Sequence, residues 1–202
     1  MGGKTKESVG EEMERLLGAD PRLFVTDSTL RYVRERFHSI NQGVRDLTRQ
    51  KGEAALETDG WHSEAFREAE QEVSTLAAVR RSLEPLGNVD YFLQKARPIT
   101  PNKEEKVGLG SKVKVKVSVG GNGDRAREET YILVGPLDVT YSPDKTPGWV
   151  SCLAPIGTGL LGKTKGESFK VVAPEGTSVY EIIEISPADE LQGEEVGEPS
   201  RK

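Results

Sequence analysis

Leu30, Val33, Phe37, Ile40, Val44 and Leu47 follow one another at alternating steps of three and four residues. Ala54 falls in the same register, and Lys51 interrupts it. This is the a/d stripe of a heptad, which commits the segment to a helix and the helix to a partner. A second stripe follows the Asp59–Gly60 turn: Phe66, Ala69, Val73, Leu76 and Leu83, with Arg80 out of register. Two heptad helices joined by a short turn pack antiparallel. "TDS" at 26–28 supplies cap candidates at the start, and Pro85 and Gly87 supply the stop. The hairpin is therefore placed at 27–88, with its tip near 57–64. A helix from about residue 28 to 57 would extend about 45 Å at 1.5 Å per residue, and the pair is expected to form a thin rod. Gly43 and Gly52 each weaken the helix by roughly 1 kcal/mol relative to Ala.

From residue 111 the period changes to two. "KVKVKVSV" sets Val113, Val115, Val117 and Val119 on one face and Lys112, Lys114, Lys116 and Ser118 on the other. That pattern is a half-buried strand with a solvated face. "GGNGD" reads as a hairpin loop, and "TYILVG", "GWVSCLA", "SFKVVAP" and "SVYEIIEI" as four more strands. "PIGTGLLGK" is a short helix or turn crossing one face. The expected fold class is α+β: an antiparallel helical coiled-coil hairpin followed by a small β-rich domain at 111–186. The remaining segments are expected as a flexible arm or a short helix at 1–26, a linker at 89–110 and a disordered acidic tail at 187–202.

Composition narrows the function classes. The chain is 30% charged and 6% aromatic, which is poor for one large core and ordinary for exposed helices beside a small domain. A net charge of −5 gives no reason to expect chain-wide affinity for nucleic acid. Cys152 is the single cysteine, so no internal disulfide forms and nothing points to an oxidising compartment. The N-terminus lacks the apolar run of a secretory signal, and no stretch approaches the roughly 18 apolar residues of a membrane span. A cytoplasmic protein without a membrane partner is expected.

"SCLAPIGTGLLGKTKGESFKVVAPEGTSVYEIIEI" and the earlier "TYILVGP" resemble, in order and spacing, the last part of the Gre transcript-cleavage factors of bacterial RNA polymerase. The helical hairpin resembles the coiled coil that precedes the β domain in that family. The resemblance implies an FKBP-like fold for residues 111–186. Laid over the family tip, "DGWHSEAF" matches its first acid at Asp59 and its aromatic at Phe66. The second acid falls on His62 and the last on Ala65, with Glu57 and Glu64 acidic but displaced. A basic position of the family is Thr158 here.

The resemblance implies a partner and a mode. The partner is bacterial RNA polymerase, and the hairpin would reach its active site through the secondary channel, next to the RNA 3′ end. The factor is expected to have no cofactor of its own and to share Mg²⁺ with the polymerase. Mg²⁺ prefers oxygen ligands and often takes only one or two carboxylates. Asp59 is the first candidate for holding that shared ion, with Glu57 and Glu64 as substitutes for the missing acid. His62 is a poor Mg²⁺ ligand and would orient water or pair with a phosphate. Trp61 would stack on a base or wedge against the active site. Arg45, Arg49 and Arg67, with Lys51, would touch RNA phosphates. Gly157, Leu160 and Leu161 of "PIGTGLLGK" are expected as polymerase contacts. The departures at the tip leave two outcomes open: stimulation of RNA cleavage, or occupation of the channel with inhibition or retuning of transcription.

Each feature has a plainer reading. Asp–Gly is a standard turn pair, and acids are favoured near helix N-termini. The basic residues would then serve intrahelical pairing, and the β-strand lysines a solvated face. Cys152 reads as a buried apolar residue. Two other classes compete. A peptidyl-prolyl isomerase would need Tyr131, Tyr141, Trp149, Phe169 and Tyr180 to converge on a concave pocket. A plain interaction module would dimerise through the coiled coil, against which the Lys51 and Arg80 interruptions argue. A monomer that is not itself an enzyme, but assists the polymerase's own hydrolysis, is the expectation.

Overall fold

The computed structural model describes residues 6–56, 64–81, 83, 86–119, 126–143, 147–174 and 176–191. It forms two compact units. One is Arg31–Lys95, and the other joins Met1–Leu30 to Ala96–Lys202.

The first unit is helical. It contains most of α2 (Asp27–Ala55), with α3 (Glu64–Arg81) and α4 (Val89–Lys95). Val33, Ile40 and Leu47 of the stripe are buried. The two long helices run antiparallel: Lys51 of α2 pairs with Glu70 of α3, whereas the earlier Gly43 meets the later Leu76. A β-carbon on Gly43 would stand 2.8 Å from Leu76 Cδ1, so this glycine admits its neighbour as well as weakening the helix. Helix α3 ends at Arg81, short of the expected stop, and Leu83 is buried in the turn beyond it.

The second unit is built on a five-stranded sheet in the order β5–β4–β3–β7–β6. Its strands are β3 (Ser111–Val119), β4 (Arg127–Val134), β5 (Trp149–Ser151), β6 (Ser168–Ala173) and β7 (Gly176–Pro187). Central β3 pairs antiparallel with β4 and β7, with a register shift between Lys114 and Val115. The β3 alternation holds: Val113, Val115 and Val117 are buried in the main core with Leu133, Leu160 and Ile182. Helix α6 (Pro155–Leu160) supplies Leu160 to that core. A second core collects Ile99, Ile132, Val134, Ala188 and Leu191. Because residues alternate along β4, Ile132 and Leu133 enter different cores. The expected "GGNGD" loop lies outside the described residues.

Three boundaries differ from the sequence expectation. The described residues 6–26 of the expected arm hold α1 (Lys6–Leu17), its short-helix alternative, followed by a 3₁₀ turn at Pro21–Leu23 and β1 (Phe24–Val25). Strand β1 pairs in parallel with β2 (Arg97–Pro98), inside the segment expected as a linker. That segment also buries Ile99 and Val107. Within the segment expected as a tail, Ala188 and Leu191 are core residues, and 192–202 lie outside the described residues. The last two share a physical reason. Single apolar residues and two-residue strands are too short to show a period, and their partners lie far away in sequence. A further short helix, α5 (Asp138–Tyr141), also went unforeseen.

Candidate functional site

Glu57, Asp59, Trp61 and His62 lie outside the described residues. The structure places what flanks them. Leu56, in the turn that follows α2, is 88% exposed. Glu64 is the first residue of α3, a position where the helix dipole favours an acid.

The basic candidates divide. Arg45 and Arg49 are exposed on α2, and Arg67 is exposed on α3. With Arg31, Arg34 and His38, the two α2 arginines recur at spacings of three, four and seven, which sets them on one face of the helix. All five are exposed. Arg49 makes a loose pair with Asp46 at 3.6 Å within the helix, while Lys51 spans to α3 and bonds Glu70 at 3.0 Å.

Helix α6 is positioned by close backbone approach. A β-carbon on Gly157 would lie 2.0 Å from the Ser151 carbonyl oxygen, so only glycine lets α6 sit against the end of β5. Gly157 and Leu160 are buried, with Leu160 at 0% exposure. Leu161, at the C-cap, and Thr158 are half-buried, and Pro155 is exposed. Any docking through this element runs over those residues.

Beside α6 three aromatic residues converge. Phe169 and Tyr180 stack with ring centroids 5.0 Å apart, and Tyr131 packs on the same core. The Tyr131 hydroxyl donates to Glu129, whose other oxygen takes Arg127 Nε at 2.5 Å. Burial first, then the Glu129 hydrogen bond, raises the Tyr131 pKa, so its phenol stays protonated at neutral pH. A β-carbon on Gly159 would fall 2.1 Å from the Phe169 ring. The Phe169 ring thus packs directly against α6 at Gly159. Trp149 packs on the second core instead, and Tyr141 lies in α5.

The β3 lysines form a ladder with acids. Lys112 pairs with Glu190, and Lys114 bonds Glu128 at 2.6 Å. Lys116 stands opposite Glu128 on β4 and Glu181 on β7. This face is charge-balanced and is no phosphate-binding patch. Cys152 is fully buried, and burial pushes its thiol up to about 12, which excludes a ready nucleophile.

One constellation gave no sequence signal. Asp138 is completely buried. Its Oδ1 accepts from the Thr26 amide at 2.8 Å and from the Thr26 hydroxyl at 2.9 Å, and its Oδ2 accepts from the Gly135 amide at 3.0 Å. Burial pushes its carboxyl above the ordinary carboxylate range, against the pull of these donors. Thr26 immediately precedes α2.

The family model described as "Transcription elongation factor, GreA/GreB, C-term" matches residues 101–187. Transcription elongation factor GreA of Rhizobium etli (strain CIAT 652) is 34% identical over 88 residues, covering 44% of this chain and 50% of the relative. GreA of Thermodesulfovibrio yellowstonii is 38% identical over 96 residues, covering 46% and 55%. The chain thus spans about half the length of the curated relatives it matches. Among solved structures, the GreA factor homolog 1 (Gfh1) protein of Thermus thermophilus is 21% identical, with a TM-score of 0.30 over 80% of this chain and 97% of that one. GreA/GreB from Nitrosomonas europaea is 25% identical, with a TM-score of 0.33 over 55% and 90%. Among the described residues no helix is long and apolar enough to cross a membrane.

Proposed function

We propose that this chain, whose residues 101–187 match the GreA/GreB C-terminal family model, is a Gre-type transcription elongation factor that binds bacterial RNA polymerase as a monomer and works at the polymerase active site with the segment joining α2 and α3. The observation that carries this reading is one of order along the chain. The matched segment is preceded in the chain by an antiparallel helical pair, with Glu57 and Asp59 between its helices and Glu64 opening α3. Helix α2 alone has 29 residues, about 44 Å of reach at 1.5 Å per residue.

The chemistry belongs to the polymerase, and the factor adds ligands. Carboxylate oxygens at 57, 59 and 64 are the donor type Mg²⁺ takes, whereas the imidazole of His62 is not. When bound, Mg²⁺ supplies charge stabilisation and an activated water for hydrolysis of backtracked RNA. Asp59 holds the ion first, Glu57 or Glu64 second, and His62 orients water. Trp61 stacks at the RNA 3′ end, and the exposed Arg45, Arg49 and Arg67 meet its phosphates.

The test is co-purification with RNA polymerase, followed by a transcript-cleavage assay on halted complexes with wild type and Asp59→Ala. Loss of cleavage with retained binding is expected. Cleavage unchanged in the variant removes Asp59 from the mechanism. Binding with inhibition and no cleavage in wild type moves the chain to the channel-occupying reading, which the His62 and Ala65 departures favour.

A further inference from the structure

We propose that β6 is an interaction edge: an extended segment of the polymerase, carrying an acid opposite Lys170, adds to it as a further strand. The identity of the partner rests on the reading above.

Strand β6 lies at the rim of the sheet and pairs on one side only, with β7. The way it pairs fixes which backbone groups are left over. Gly166, at φ +86°, donates its amide to the Ile182 carbonyl, and Ile182 donates its own to the Glu167 carbonyl. That is a glycine bulge, two residues of one strand opposite one of the other. Beyond it, the hydrogen-bonded pairs of an antiparallel ladder recur at every second residue, here Phe169 with Tyr180 and Val171 with Ser178. Ser168, Lys170 and Val172 therefore turn their N–H and C=O groups outward. The same three residues are exposed, Val172 to 79%.

The opposite rim, β5, is three residues long and offers little to pair with, whereas β6 has six. Long edges are blunted by charge, proline or cover. The one charge on β6 is Lys170, whose ammonium has no ion pair among the described residues, unlike Lys112 and Lys114 on β3. That charge selects the occupant. When two copies of β6 pair antiparallel in the register that uses all three outward residues, Lys170 faces Lys170, and like charges directly opposite are unfavourable. A strand with Asp or Glu at that place gains the cross-strand pair instead. An apolar residue two places along it covers Val172. Main-chain bonds then hold the added strand, and alternate side chains choose it.

The test reads residue-resolved amide exchange of the full chain, alone and with core RNA polymerase, beside a binding titration. On binding, the amides of Ser168, Lys170 and Val172 should slow roughly ten-fold or more, while Phe169 and Val171, already bonded to β7, serve as reference. Lys170→Pro removes a donor that β7 does not use, a change that edge strands tolerate. Its half-saturating concentration should rise about ten-fold. Lys170→Glu should weaken binding in the same direction, and Lys170→Arg should stay near wild type. Protection kept at Phe169 and Val171 shows an intact sheet in each variant, and Lys170→Glu decides if Lys170→Pro loses it. Binding without slowed exchange at 168, 170 and 172 overturns the proposal and leaves the reading above standing. Slowed exchange there in the chain alone also overturns it, in favour of a second copy if the effect grows with concentration and of another segment of this chain if it does not. A chain that does not bind the polymerase overturns both.

Discussion

Lys51 Nζ on α2 lies 3.0 Å from Glu70 Oε1 on α3, nineteen residues away in the chain. The pair records the antiparallel register but contributes little to it. Both side chains keep contact with solvent, so the pair is worth about 0.5 kcal/mol. Glu70→Lys should lower hairpin stability by about 1 kcal/mol or less through like-charge contact, and Lys51→Glu with Glu70→Lys should restore it. Urea unfolding followed by helical circular dichroism checks this.

Gly52 is exposed on α2, with open space where a β-carbon would stand. Gly52→Ala should therefore stabilise the helical unit by about 1 kcal/mol. Gly43→Ala gains the same propensity but must displace the Leu76 methyl, so its net effect should be smaller. Thermal unfolding of the two variants side by side separates propensity from packing.

Gly157 has no such freedom. The Ser151 carbonyl that blocks a β-carbon is backbone and cannot rotate away. Gly157→Ala should cost about 3 kcal/mol or more and loosen α6 from β5. A melting curve and exchange at the Cys152 amide, which donates to the Val134 carbonyl, report the two effects.

Asp138 and Asp20 bend the pH profile in opposite directions. The Asp138 pKa is raised in the fold, so its contribution is greatest below the ordinary carboxylate range and declines as pH climbs through the raised value. The hydrogen bond from Arg22 holds Asp20 low, so its contribution is present above that range and is lost as pH falls through the lowered value. Relative to Asp138→Asn, wild type should lose stability as pH rises from about 4 toward neutrality. Urea midpoints across that window measure it, and parallel curves would refute the assignment.

If Arg45 and Arg49 meet RNA phosphates, Arg45→Ala with Arg49→Ala should weaken action on halted complexes and flatten its dependence on salt. The sheet should be unaffected. An unchanged salt slope would show that these side chains serve solvation alone.

The amino-acid pattern by itself determined the two helices and five strands. Leu30 through Leu47 repeat often enough to declare a helix, and Val113 through Val117 often enough to declare a strand and its buried face, although Val119 at the strand's end is exposed. It also carried the family likeness, since "APIGTGLLGK" keeps order and spacing that a single chain displays. Tertiary structure decided the rest. The pairing of Phe24–Val25 with Arg97–Pro98, the burial of Leu160 and Leu191, and the capture of Thr26 by Asp138 involve elements of one to six residues. Periodicity needs several turns or alternations before it rises above chance, and a hydrogen bond across 112 residues leaves no local trace. Those contacts exist only once the sheet has brought distant segments together.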